Sequence, residues 1–205
     1  YSGTALYRNA RIVDPSRGID EIGTVFIADG KIVAAGASAL NQGAPEGASV
    51  HDCTGKTIVP GLVDMRVFIG EPGGEHRETI ASASAAAAAG GVTSLVMMPD
   101  TAPVIDDVAL VEFVLRTARE TAKTRIFPAA AITKGLKGHE MTEIGILLDA
   151  GAVLFTDGRE TIANAAVMRN AMRYAKDFGA TIAHETQDAD LSAGGTSKES
   201  KFACP

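Results

Sequence analysis

Residues 55–73, GKTIVPGLVDMRVFIGEPG, are the most informative stretch of the chain. The stretch begins with an apolar run that a Pro-Gly pair interrupts, and it ends in residues typical of a turn. Short apolar runs bounded by turn residues are typical of parallel strands that are covered on both faces. We therefore predict a buried strand over residues 58–67. The glycines after it do not form a phosphate loop, because no Gly-Lys-Ser/Thr sequence follows them.

Four more short apolar runs follow, at residues 92–98, 126–132, 152–155 and 181–183. Segments between them have the spacing of amphipathic helices. Two such faces are Val111, Val114, Leu115 and Ala118, and then Met168, Ala171, Met172 and Ala175. Asp106 or Asp107 would cap the first helix, and Gly179 would end the second. Strands that alternate with helices predict a parallel α/β sheet, either open or closed into a barrel.

The number of elements is too small for a complete barrel. We count five strands and four helices in about 130 residues, whereas a (β/α)₈ barrel needs roughly 250. The sheet is therefore open, or the chain is part of a longer protein.

The first part of the chain has a different pattern. Asp29-Gly30 separates two short β-rich runs, at residues 25–28 and 31–34, and predicts a tight hairpin. Another strand is expected at residues 6–13, a turn at residues 14–18 and a loop at residues 41–49. We predict a small β-sheet domain over residues 1–57, the N-terminal part of a barrel over residues 58–191, and an atypical polar tail over residues 192–205.

Composition excludes several classes of protein. Hydrophobic residues make up 46% and charged residues 21%, as in a folded chain. Nineteen basic residues against 25 acidic ones give a net charge of −6, which argues against a nucleic-acid partner. No apolar run approaches the roughly 18–20 residues of a membrane helix, and no secretory signal is visible. Cys53 and Cys204 suggest no disulfide framework, so we expect a cytoplasmic protein with reduced thiols.

Several ordered landmarks resemble the amidohydrolase superfamily, and within it the type I dihydroorotases. They are PGLVD at residues 60–64, EPG at 71–73, EHRETI at 75–80, AAAGGVT at 87–93, MMPDT at 97–101 and FTDG at 155–158. Asp188 and Leu191 keep the spacing of a further family motif. The resemblance covers about residues 6 to 191 and implies a (β/α) TIM barrel of the amidohydrolase type, incomplete in this chain, with a small N-terminal β domain.

The same resemblance implies a zinc site whose ligands this chain has changed. Arg66 and Phe68 stand where the family has its His-x-His pair, and Glu185 stands at a later histidine. Arginine stays protonated and a phenyl ring has no lone pair, so neither can bind a metal. Asp157 alone matches a family ligand. We therefore expect no cofactor.

The family's substrate contacts are changed as well. Gly70 replaces the arginine that would hold the substrate carboxylate, and Asp100 replaces an asparagine. A carboxylate at position 100 would repel an anionic substrate. Five of the six family positions that this sequence covers are altered, which indicates loss of the reaction.

Each altered residue also has a purely structural interpretation. Arg66 and Phe68 alternate on the strand and would both point into the barrel mouth. Phe68 would then fill the core, and a buried Arg66 would pair with Asp157 or Asp100. An ion pair is the preferred role for Asp157 over metal binding. With Glu185 it would give two ligands, one short of the three in a catalytic zinc site.

The histidines near these landmarks also have ordinary interpretations. His76 and His139 stand beside charged residues and are expected at the surface. His184 lies one place from the family's ligand position, so on a strand it would face the opposite side. We expect it to be a hydrogen-bonded core residue.

We predict a catalytically inactive, dihydroorotase-like protein of pyrimidine biosynthesis. The resemblance implies a structural role beside aspartate transcarbamoylase, and a homo-oligomer is possible. The alternative is an active zinc-dependent cyclic amidohydrolase that interconverts N-carbamoyl-aspartate and dihydroorotate through ligands not recognised in the sequence. A third interpretation is a small-molecule binding module that kept the cleft without the zinc.

Overall fold

The computed structural model of the chain describes residues 3–41 and 43–187. The chain divides into two compact units between Gly61 and Leu62. The predicted tail at residues 192–205, with Cys204, lies outside the described residues, as do Asp188 and Leu191. No helix among the described residues is long and apolar enough to cross a membrane.

The first unit is a mixed sheet of five strands. They are β1 (Thr4–Asp14), β2 (Ile19–Ala28), β3 (Lys31–Gly36), β4 (Ser49–Asp52) and β5 (Thr57–Ile58), with a 3₁₀ helix at Ala37–Asn41. The strand order is β3-β2-β1-β4, and β5 also pairs with β1. β2 is antiparallel to β1 and β3, whereas β4 and β5 run parallel to β1. Its buried side chains include Leu6, Ile12 and Val25.

The predicted hairpin is confirmed. Asp29 and Gly30 connect β2 to β3 with φ angles of 49° and 72°. Positive φ at both central residues is what a tight turn between twisted antiparallel strands requires. Asp and Gly tolerate this region of backbone space better than most residues.

The second unit contains a parallel sheet with helices packed against it. The strands are β6 (Leu62–Val67), β7 (Val92–Met97), β8 (Arg125–Ala130) and β9 (Leu154–Phe155), in the order β6-β7-β8-β9. A parallel bridge from Phe155 to Ile182 adds a fifth position, shorter than the predicted strand at residues 181–183. The helices are α1 (Ile80–Ala89), α2 (Val108–Thr121), α3 (Ile144–Asp149) and α4 (Ala165–Asp177), and a 3₁₀ turn spans Lys134–Leu136.

The helix ends follow the local sequence. Thr79 and Ser82 form a capping box at the start of α1. The Asp107 side chain accepts from the Ala109 amide at 2.8 Å and caps α2, whereas Asp106 accepts from the Gly135 amide. Gly179 follows α4 with a φ of 66°, as a helix-ending glycine should.

The core of the second unit lies between the sheet and the helices. Its fully buried side chains include Ile69, Ile80, Met97, Val111, Val114, Ile132, Ile144, Leu147 and Phe155. Val111 and Val114 lie on the predicted face of α2. On α4, Ala171 and Ala175 are buried, but Met172 is exposed. Met168 is partly buried and packs against the core, as do Val167 and Tyr174, so the contact face of α4 departs from the prediction only at Met172.

The predicted buried strand at residues 58–67 is wrong in two respects. Thr57 and Ile58 belong to the first unit, as β5, so the continuous apolar run serves two different sheets. β6 is also largely exposed, including Leu62, Val63 and Met65. The reason is that β6 pairs only with β7 among the described residues and forms the edge of the sheet.

Candidate functional site

The residues singled out from the sequence meet at the carboxyl ends of the parallel strands. Arg66 and Phe68 lie at the end of β6, and Asp100 follows β7. Asp157 follows β9, and Glu185 follows the bridge at Ile182. This end of a (β/α) sheet is where such folds place their active sites.

Arg66 pairs with Glu185 through its Nη2 and the carboxylate Oε2. The ion pair joins two segments that lie 119 residues apart in the chain. The prediction that Arg66 pairs with Asp157 or Asp100 is therefore wrong. Arg66 is also not buried, since its side chain is 57% exposed and that of Glu185 is 37% exposed. At the open edge of the sheet the guanidinium reaches the fifth strand position while it stays in contact with water.

Phe68 does not fill the core as predicted. The residue is 37% exposed, and the guanidinium carbon of Arg159 lies 5.7 Å from the ring centroid. This is within the distance of a cation–π contact. The sequence analysis did not single out Arg159, although it directly follows the FTDG landmark at the end of a strand.

Asp157 is a buried carboxylate, 1% exposed, held by the end of β8. Its Oδ1 accepts from the backbone amides of Ile132 at 2.8 Å and Thr133 at 2.9 Å. Its Oδ2 accepts from the Thr133 hydroxyl. The predicted ion pair is wrong, because three N–H and O–H donors satisfy the carboxylate without a cation. Thr133 Oγ1 also accepts from the Gly138 amide at 2.9 Å and so extends the network.

Gly70 begins a tight turn that leaves no space for a side chain. A Cβ at this position would overlap the carbonyl oxygen of Gly74, and the Gly74 amide donates to the Gly70 carbonyl. The Gly73 amide donates to the Glu75 carboxylate at 2.8 Å, and this hydrogen bond lowers the pKa of Glu75. An arginine at position 70, the residue that the resemblance implies there, would require a different turn.

Asp100 has no close partner among the described residues. Its Oδ2 lies 4.0 Å from Arg159 Nε, and its Oδ1 is buried without a hydrogen bond. The Asp100 carboxyl carbon lies 3.4 Å from the position that a Cβ on Gly158 would take, so the two residues are in close contact. A buried acceptor of this kind is costly unless a donor reaches the carboxylate.

His76 and His139 are exposed, as the sequence predicts. The prediction for His184 is wrong in two respects, because the residue is not fully buried and lines the same cavity as Glu185. His184 is half-buried, and its Nε2 accepts from the Ile162 amide at 3.1 Å. This hydrogen bond engages one of the two ring nitrogens through which a histidine can bind a metal.

These residues do not fit a catalytic zinc ion. Arg66 and Phe68 have no lone pair to give, Glu185 is paired with a cation, and Asp157 is engaged by three donors. Within residues 3–41 and 43–187, no group of three or more His, Cys, Asp or Glu side chains could hold a metal ion.

Two neighbouring cavities open at this end of the sheet and share Arg66, Met98 and Gly158. The smaller has a volume of about 230 Å³ and is also lined by Phe68, Asp100 and Arg159. The larger, of about 590 Å³, is also lined by Leu154, Thr181 and Glu185.

Comparison with known sequences gives one consistent family. The sequence model of the Dihydro-orotase-like family matches residues 55–204. The chain is 44% identical over 194 residues to a protein of Solibacter usitatus named Dihydroorotase, which covers 95% of this chain and 44% of that protein. It is 40% identical over 199 residues to a Dihydroorotase-like protein of Pseudomonas aeruginosa, covering 96% of this chain and 46% of that protein. The chain thus spans about half the length of these curated relatives.

Solved structures share the fold at lower identity. The L-hydantoinase from Arthrobacter aurescens superposes with a TM-score of 0.71 at 23% identity, over 87% of this chain and 39% of that chain. A dihydroorotase crystal structure gives a TM-score of 0.57 at 17% identity, over 88% of this chain and 50% of that chain. These matches confirm the predicted fold, part of an amidohydrolase-type barrel.

Proposed function

We propose that this chain, which belongs to the dihydroorotase-like family, has lost the zinc chemistry of that family and acts in pyrimidine biosynthesis as a structural partner of aspartate transcarbamoylase. The observation that carries the proposal is the ion pair between Arg66 and Glu185. It occupies two positions at which the resemblance implies metal-binding histidines.

Charge and hydrogen bonding both oppose a metal at this site. A guanidinium at position 66 repels a divalent cation, and this repulsion is strongest where water is partly excluded. To bind a metal, Asp157 would have to release the amides of Ile132 and Thr133. Each buried amide left without an acceptor costs about 1–3 kcal/mol. These contacts within the chain therefore support a site that needs no metal.

The partner follows from the resemblance and from the retained fold. The resemblance to type I dihydroorotases implies assembly with aspartate transcarbamoylase, in which an inactive dihydroorotase-like chain would be a structural partner. This chain keeps the family's landmarks in the strands and turns but not its catalytic side chains. A role in assembly would require the fold and not the chemistry.

Three measurements on one preparation of the full-length protein test the loss of zinc chemistry and the partnership. Elemental analysis should find far less than one zinc per chain, and no ring closure of N-carbamoyl-aspartate should be measurable. Mixed with the aspartate transcarbamoylase of its own organism, the protein should elute in size-exclusion chromatography with light scattering at the summed mass of a complex. A mass unchanged by mixing contradicts the partnership.

The alternative, an active zinc-dependent dihydroorotase, is favoured by the names of relatives such as the protein from Solibacter usitatus. The same preparation distinguishes it from our proposal. Stoichiometric zinc together with zinc-dependent ring opening of dihydroorotate would replace the inactive assignment with the enzymatic one.

A further inference from the structure

We propose that the smaller cavity, lined by Arg66, Phe68, Met98, Asp100, Gly158 and Arg159, binds a small zwitterionic α-amino acid. This inference goes beyond the proposed function, since it assigns a ligand that neither assembly nor the lost zinc chemistry requires. The cavity has a volume of about 230 Å³, below the roughly 300–1,000 Å³ of pockets that hold drug-sized ligands. Only a molecule with few heavy atoms would fit.

Asp100 and Arg159 supply two opposite charges that are close but not bonded to each other. Their nearest nitrogen–oxygen distance is 4.0 Å, beyond a hydrogen bond. The Asp100 side chain is 20% exposed, and its Oδ1 has no hydrogen-bond partner. The Arg159 side chain is 74% exposed. A carboxylate and a guanidinium left in this way can each accept a counter-charge from a ligand.

Arg66 is a second guanidinium that lines the cavity and adds positive charge on the side of Arg159. Its Nη2 donates to Glu185, but a guanidinium has five N–H donors, so others stay available for a ligand carboxylate. The ring of Phe68 lies against the guanidinium of Arg159 and limits its orientations. Planar forks of this kind recognise carboxylates by paired hydrogen bonds.

The charge balance of the site selects a neutral ligand with separated poles. Two guanidinium groups, Arg66 and Arg159, stand against two carboxylates, Asp100 and Glu185. A dianion or phosphate would meet the Asp100 carboxylate, which would repel it. An α-amino acid places its ammonium group beside Asp100 and its carboxylate beside Arg159. Phe68 and Met98 would then contact an aliphatic side chain.

Isothermal titration calorimetry with L-alanine tests the proposal on the wild-type protein. L-Alanine should bind with a Kd on the order of 1 mM or tighter. N-Acetyl-L-alanine, which lacks the ammonium charge, and L-alaninamide, which lacks the carboxylate, should each bind at least tenfold more weakly. Inorganic phosphate should not compete with L-alanine.

Two variants and one control locate the site. Asp100→Asn and Arg159→Gln should each weaken L-alanine binding at least tenfold, because each removes one of the two charges. Arg173→Gln changes an exposed arginine on α4, away from the cavity, and should leave binding unchanged. Circular dichroism of each variant verifies that it is folded.

Several results would overturn the proposal. One is the absence of saturable binding of L-alanine. Another is equal binding of phosphate or N-acetyl-L-alanine, which would indicate a simple anion site. The ligand series uses the unmodified protein, so it decides the question even where a variant does not fold. Zinc content and the mass with aspartate transcarbamoylase are measured separately, so the two proposals can fail independently.

Discussion

Replacing Asp157 by alanine should destabilise the second unit strongly, because Asp157 acts as a structural acceptor. The substitution leaves the buried amides of Ile132 and Thr133 without acceptors and removes the partner of the Thr133 hydroxyl. At about 1–3 kcal/mol for each unsatisfied group, and with partial access of water to the new cavity, we expect a loss of about 3 kcal/mol.

Asp157→Asn is the matched conservative change. Its amide oxygen can still accept from the Ile132 and Thr133 amides, and the Thr133 hydroxyl can rotate to accept from the new NH₂ group. The expected loss is therefore only about 1 kcal/mol. Glu112→Ala, on the exposed side of α2, is the control and should stay within about 0.5 kcal/mol of wild type.

Urea unfolding followed by circular dichroism measures these differences, with and without EDTA. Chelation should not change the unfolding midpoint of the wild type, because hydrogen bonds and not a metal satisfy Asp157. An Asp157→Ala variant that unfolds like the wild type would refute the role of Asp157 as a structural acceptor. Destabilisation of the wild type by EDTA alone, to the same extent as by the substitution, would also refute that role.

Three further predictions concern the other altered family positions. Arg66→Ala should cost at most about 1 kcal/mol in urea unfolding, since both members of its ion pair are more than a third exposed and water screens their attraction. A loss above about 2 kcal/mol would contradict this. Gly70→Ala should lower the free energy of unfolding by about 1–3 kcal/mol, because the new Cβ would overlap the Gly74 carbonyl. The control Gly43→Ala, at a position with open space around it, should be nearly neutral. Equal stability of the two variants would show that the turn is not tight. Arg66→His should not produce zinc-dependent hydrolysis of dihydroorotate. Phe68, Gly70 and Glu185 stay unchanged in this variant, and catalytic groups act as a unit. Measurable turnover by the variant would argue against the inactive assignment.

Local features of the fold could be predicted from the sequence because they depend on neighbouring residues. The Asp29-Gly30 turn, the cap at Asp107 and the end of α4 at Gly179 each follow from the conformational preference of one or two residues. The parallel order of β6 to β9 follows from alternation of strands and helices. These signals are contained within a few positions of the chain.

Features that depend on distant neighbours could not be predicted in this way. Glu185 became the partner of Arg66 because the curvature of the sheet brings two remote segments together. The donors to Asp157 include backbone amides, which every residue except proline has, so a search among side chains cannot find them. Exposure of Met65 depends on whether another strand covers the edge of β6. The amino-acid composition of β6 does not show whether such a strand is present.

The altered positions also form one consistent set of contacts. A buried or half-buried carboxylate needs a cation or a hydrogen-bond donor as a partner. Here Arg66 supplies a positive charge to Glu185, Arg159 supplies another near Asp100, and backbone amides satisfy Asp157. Glu185 and Asp157 therefore have partners from the protein itself, whereas the Asp100 Oδ1 has no hydrogen-bond partner among the described residues. Because the turn at Gly70 is also tight against Gly74, binding a metal at this end of the sheet would require several coordinated changes, each of which would first break a contact that the protein makes.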